Sequence, residues 1–95
     1  MNDGRKDDAE KARVDLLPVR ALELVSRVLG FGARKYGVDN WRLVPDARRR
    51  YYAAALRHMF AWWRGELVDP DTGESHLAHA AASLLFILEL EQESK

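Results

Sequence analysis

Apolar positions recur every three or four residues in three blocks of this chain, and turn-forming residues separate the blocks. In the first, Ala21, Leu22, Val25, Val28, Leu29 and Ala33 make one helical stripe, with Arg20, Glu23, Arg27 and Arg34 mostly outside it. This predicts a helix from roughly Pro18 to Lys35, with Pro18 at its first position and Asp15 capping just before it. Gly30 and Gly32 fall in its last turns, where each weakens a helix by about 1 kcal/mol relative to Ala. Close backbone approach explains them, or fraying ahead of the loop does. Gly37 reads as the C-terminal cap, and residues 37–45 form a connection in which Trp41 is either a lid over the core or a platform for a ligand.

Pro45 and Asp46 open a second helix that runs to about Arg64 and ends at Gly65. Its apolar residues, among them Tyr51, Leu56, Met59, Phe60, Trp62 and Trp63, cover more than one face. A turn-rich loop, Glu66 to Glu74, follows. Ser75 then caps a third helix from His76 to about Glu91, striped by Leu77, Ala80, Ala81, Leu84, Leu85 and Leu88 and apolar on its other side as well. No segment alternates convincingly as a strand and no repeat is present. The fold class is all-α, a small three-helix domain. Two helices this apolar in so short a chain predict assembly into an oligomeric helical bundle, because apolar patches of that extent are rare on soluble monomers.

At 95 residues the chain has room for one domain with one modest core. Residues 1–13 are charged and nearly free of apolar side chains, which predicts a disordered tail ahead of a helical domain over 14–95. There is no cysteine, hence no disulfide framework and no thiolate metal site. The start lacks the apolar core of a signal peptide, and no apolar run approaches the roughly 18 residues that span a bilayer. The expected location is the cytoplasm, with no membrane partner. Fifteen basic and fifteen acidic residues cancel, which gives no electrostatic argument for long nucleic acid. Arg42, Arg48, Arg49, Arg50 and Arg57 nevertheless gather in the middle, as a solvated face or as a meeting point for phosphates.

Candidate chemistry concentrates between Arg57 and Ala81. His76 and His79 stand three apart at the start of the third helix, on one face, and can share a metal ion whose shell Glu66, Asp69 or Asp71 completes. The alternative is that both imidazoles hydrogen-bond the loop and the neighbouring helix. Arg50, Ala54, His58 and Trp62 line up along the second helix. His58 joins the other two histidines if that line faces the third helix, as antiparallel packing through the short loop allows. The Asp69–Glu74 loop lacks the glycine and glutamate positions of a calcium-binding EF-hand. Neither a P-loop nor a serine elbow is present, and a chain without thiols argues against covalent catalysis. What remains is phosphoanhydride chemistry or nucleotide binding, with arginines and Lys35 on phosphates, Tyr36 or a tryptophan on a base, and a metal activating water.

Several segments together resemble a known family. They are Lys11 to Pro18 (KARVDLLP), Phe31 to Gly37 (FGARKYG) with Asn40 and Trp41, Trp62 to Glu66 (WWRGE), and His76 to Ala81 (HLAHAA). This combination, spread over roughly Lys11 to Glu91, closely resembles the phage-borne dATP/dGTP diphosphohydrolase N-terminal domain family. The resemblance implies a helical domain acting in an infected bacterial host and linked to hydrolysis of purine deoxynucleotides with release of pyrophosphate. Related all-α pyrophosphohydrolases hold magnesium with Glu-x-x-Glu and Glu-x-x-Asp pairs. The second and third helices here carry neither, and His76 and His79 stand where an acidic pair is expected.

Two functional readings follow. The first is a metal-dependent diphosphohydrolase of purine (deoxy)nucleotides. Glu66, Asp69 and His79 are catalytic, and His76, His79 and Asp69 hold a divalent ion, Mg or Mn. Lys35, Tyr36, Asn40, Trp41, Arg50, Arg57, His58 and Trp62 bind the nucleotide, and the protein works as a homo-oligomer. The alternative is a non-catalytic sponge that sequesters a nucleotide immune signal, of the cyclic-dinucleotide or ADP-ribose type, to counter anti-phage defence. A helical adaptor without a small-molecule ligand is the plainest third reading.

Overall fold

The computed structural model describes residues 4–94. Three helices make up most of it: α1 (Val19–Tyr36), α2 (Ala47–Trp63) and α3 (His76–Glu93). Short 3-10 turns at Val14–Leu16 and Asn40–Leu43 precede α1 and α2. Among the described residues the only β pairing is an isolated antiparallel bridge between Val68 and Ser75. The fold is therefore all-α, as the periodicity predicts. No helix among these residues is long and apolar enough to cross a membrane.

The helix ends show which sequence signals operate. Pro18 is the residue before α1 rather than its first position, and its carbonyl accepts the Leu22 N–H at 3.1 Å. Asp15 does not cap the helix. Its carboxylate takes two hydrogen bonds from the Arg13 guanidinium, at 2.9 and 2.8 Å, and is occupied locally. At the other end Gly37 has φ +104°, a region that costs an L side chain heavily, and its N–H closes on the Ala33 carbonyl at 2.9 Å. The helix passes through Gly30 and Gly32 without fraying. No atom stands within 4 Å of a Cβ built at Gly32, and only Arg34 is near one at Gly30, so no backbone approaches either. Ser75 does cap α3, its hydroxyl accepting the Ala78 N–H at 3.1 Å.

The central element is α3, which packs on both other helices. The α2–α3 pair is antiparallel: Tyr51, early in α2, meets Phe86, late in α3, whereas His58, further along α2, meets His79 near the start of α3. Small residues line this interior. Ala55, Ala61, Ala78, Ala80 and Ala82 are buried, which lets the backbones approach closely. On the other flank, Val25 of α1 packs on Ala78 and Ala82, with Leu24, Val28, Ala81 and Phe86 around them. Trp41 closes one side by stacking on Phe86 at 4.5 Å, and its carbonyl accepts the Tyr51 hydroxyl at 3.1 Å. Residues 4–13 are exposed and outside any helix; the first three positions of the expected tail lie outside the described residues.

Candidate functional site

The loop between α2 and α3 is built to present side chains. Its ends are tied together: the His76 N–H donates to the Leu67 carbonyl at 2.9 Å, and the Asp69 N–H to the Glu74 carbonyl at 2.9 Å. Inside, Asp69 Oδ1 accepts the Asp71 N–H at 2.8 Å while the Asp69 carbonyl accepts the N–H of Gly73, whose φ is +74°. With Oδ1 engaged in the turn, Oδ2 is the oxygen that faces the histidines. It stands 3.9 Å from His58 Nδ1 and 4.0 Å from His79 Nε2.

The three imidazoles converge from both helices. His58 lies flat against His79, ring centroids 4.4 Å apart and 8° from parallel, and its Nδ1 is 2.8 Å from Nδ1 of the buried His76. His76 Nε2 is 2.6 Å from Glu66 Oε1. A carboxylate only accepts, so Nε2 of His76 carries the proton and donates it to Glu66. In the neutral ring this leaves His76 Nδ1 as a lone-pair atom, and the proton between the two histidines belongs to His58 Nδ1. His79 Nε2 is 2.7 Å from the Thr72 hydroxyl, and that oxygen also accepts the Glu74 N–H at 3.2 Å.

Burial and like charge hold His58 and His79 towards the neutral form. Desolvation is the main reason that His58 is lowered to about 4; protonated His79 and His76 would add repulsion, Arg57 adds a little more, and Asp69 opposes them. His79 is lowered as well, again chiefly by burial, with Asp69 pulling the other way. Beside it the Glu74 carboxyl lies below the ordinary range because the Arg27 guanidinium grips both its oxygens, the shorter contact being 2.8 Å. An open depression of about 330 Å³ adjoins this pair, lined by Ser26, Arg27, Gly30, Arg34 and Glu74.

One ring nitrogen each of His58 and His76 and an Asp69 oxygen lie within 4.8 Å of one another, close enough to share one cation once the proton between the two rings is displaced. Two neutral imidazoles and a carboxylate suit manganese, zinc or another first-row transition ion better than magnesium, which prefers an all-oxygen shell. Glu66 behind His76 supplies the carboxylate that commonly orients a metal-binding imidazole. The sequence had paired His76 with His79 for this role. The structure brings His58 in from α2 beside His76, while Nε2 of His79 lies 2.7 Å from the Thr72 hydroxyl and 4.0 Å from Asp69 Oδ2.

Of the other residues singled out in the sequence, Arg57 is near enough to His58 to influence its charge, and Trp62 sits beside Trp63 at the end of the same helix. The rest are elsewhere. Lys35 lies over the ring of Tyr36 at the end of α1. Asn40 donates its N–H to the Gly37 carbonyl. Trp41 is held between Phe86 and the Arg42 guanidinium, and Arg50 reaches the Pro45 carbonyl. Among the described residues no hydrogen bond, ion pair or ring contact links these five to the histidines. Sequence reasoning passed over Thr72 and the Arg27–Glu74 pair. A threonine in a turn carries no spacing signal, and Arg27 reads simply as the polar face of α1.

Comparison with known proteins bears on what this arrangement serves. Residues 1–95 match the family described as "dATP/dGTP diphosphohydrolase, N-terminal". Over 84 residues the chain is 39% identical to a protein named dATP/dGTP diphosphohydrolase from Salmonella phage PMBT28; the match covers 88% of this chain and 28% of that protein. The chain thus corresponds to little more than a quarter of the relative's length. No solved structure matches. The His-rich helical hairpin and its loop belong, with the rest of the chain, to the dATP/dGTP diphosphohydrolase N-terminal family.

Proposed function

We propose that this protein is a metal-dependent diphosphohydrolase of purine deoxynucleoside triphosphates. The observation that carries the reading is the convergence of three imidazoles with Asp69 and Glu66 at one half-buried point, in a chain whose relative is named for that activity. His58, His76 and Asp69 would hold the divalent cation, which supplies Lewis-acid polarisation of a phosphoryl oxygen. Glu66 fixes the His76 tautomer. His79, neutral at pH 7, is the base in this reading: it takes a proton from water as the water oxygen bonds to the α-phosphorus. The bond from that phosphorus to the bridging oxygen breaks, and pyrophosphate leaves a nucleoside monophosphate. Arg57 beside His58 and Arg34 at the open depression would receive phosphate oxygens in this reading.

The same reading has the domain work as a homo-oligomer within an infected host, because its apolar surface exceeds what one chain covers. The sequestering module of the second reading finds no support in the comparisons. The test is pyrophosphate release from dATP and dGTP by manganese-loaded protein, with metal content measured in parallel. His76→Ala is expected to lose the metal and the activity together. Protein that retains manganese and leaves both nucleotides intact refutes hydrolysis by this chain.

A further inference from the structure

Two rows of side chains run along one side of the α2–α3 hairpin, and five of their eight residues are exposed. Tyr52, Leu56, Met59 and Trp63 form one along α2, and Leu77, Ala81, Leu84 and Leu88 form the other along α3; Leu56 and Met59 are half-buried, and Ala81 borders the core that α3 shares with α1. Both follow the same spacing of four, three and four, which keeps a row on one side of a helix turning about 100° per residue. The α2 row stands roughly a quarter turn from the line of Ala55 and His58 that meets α3. The α3 row stands the same distance from His76 and Ala80, which meet α2. In an antiparallel pair of right-handed helices those two quarter turns rise on one side of the hairpin. Trp41 and α1 occupy the other side, against Phe86, Ala78 and Ala82.

The open side is almost entirely apolar, and none of the eight residues is charged. Trp63 is 80% exposed, Tyr52 58%, Leu88 53%, Leu84 48% and Leu77 45%. By contrast, no large side chain is fully buried among the described residues. The core of the single chain is mostly alanine, and its larger apolar groups face outwards.

We propose that this face is a two-fold dimer interface, on which a second copy of the chain completes a four-helix bundle from two α2–α3 hairpins. This names the face of the homo-oligomer and rests on that part of the reading above. Two observations select a second copy. The five exposed residues of these rows leave roughly 600 Å² open per chain, approaching the about 800 Å² per partner that stable interfaces bury. The two rows also share one spacing on antiparallel helices, so a two-fold rotation lays apolar row against apolar row and no charge is buried unpaired.

Light scattering and sedimentation of the wild type, Leu84→Glu, Tyr52→Glu and Val38→Glu test this, with circular dichroism confirming helical content. Val38 is 80% exposed and lies outside both rows. The wild type and Val38→Glu are expected at twice the chain mass across the micromolar range. Leu84→Glu and Tyr52→Glu should raise the dissociation constant by about a hundredfold or more, since each places two carboxylates in the contact. If Leu84→Glu fails to fold, the more exposed Tyr52→Glu decides. Dimers that persist in the folded glutamate variants place the interface elsewhere and leave the oligomer reading intact. A monomeric wild type overturns both, and so does one whose open face is covered only by the further part of a longer relative.

Discussion

Acid should weaken this protein chiefly through His58. Its ring is enclosed by protonatable neighbours from every side: His76 and His79 from α3, Asp69 from the loop, and Arg57 on its own helix. Folding lowers it from 6.5 to about 4. Between those values the unfolded chain holds a proton that the native chain refuses, so stability is fully present above pH 6.5 and declines as the pH falls towards 4. The loss amounts to about 2 kcal/mol by pH 5, a large share of the about 5–15 kcal/mol that stabilises a small domain. His79, lowered in the same direction, adds to it. The geometry gives the cause, because protonating both His58 and His76 sets two N–H donors against each other across 2.8 Å. Urea denaturation followed by circular dichroism, with a chelator present, measures the effect at pH 7, 6 and 5. His58→Gln cannot take up the proton and should show a shallower decline, whatever its stability at pH 7. Parallel declines in the wild type and His58→Gln refute the assignment, as does a wild type whose stability is flat across this range.

Ser75→Ala removes the hydroxyl that accepts the Ala78 N–H and should cost about 1 kcal/mol in the same urea experiment, as loss of a helix cap does. Glu66→Ala frees the His76 ring to change tautomer, and manganese affinity by calorimetry should fall about 10- to 100-fold while helical content is unchanged. Unaltered affinity would mean that Glu66 is a surface acceptor with no influence on the cluster.

The three helices were legible because their signals are local. Stripe spacing, the Ser75 hydroxyl and the positive φ of Gly37 each operate within one or two turns. Asp15 misled because its capping role competes with Arg13 only two residues away, and pattern alone does not rank the two partners. The gathering of all three histidines depended on a conditional step, antiparallel closure of α2 on α3, and that closure is what the structure shows. Which imidazoles face each other was beyond spacing. Helical register places His76 and His79 on one face, but Thr72 in the loop draws the Nε2 of His79, and Asp69 spends one oxygen on its own turn. Lys35 and Tyr36 pointed to a ligand by residue type alone, and such a signal does not fix distance.

The interacting partners of this site are close neighbours along the chain: Thr72 and His79 are 7 positions apart, Glu66 and His76 10, and His58 and His76 18. The bridge between Val68 and Ser75 shuts the loop between them. Contacts of such short range form early and cheaply in folding, since little chain entropy is spent closing them. One short stretch of the chain, from His58 to His79, specifies the whole cluster, so a change confined to α1 or to the end of α3 leaves the constellation intact.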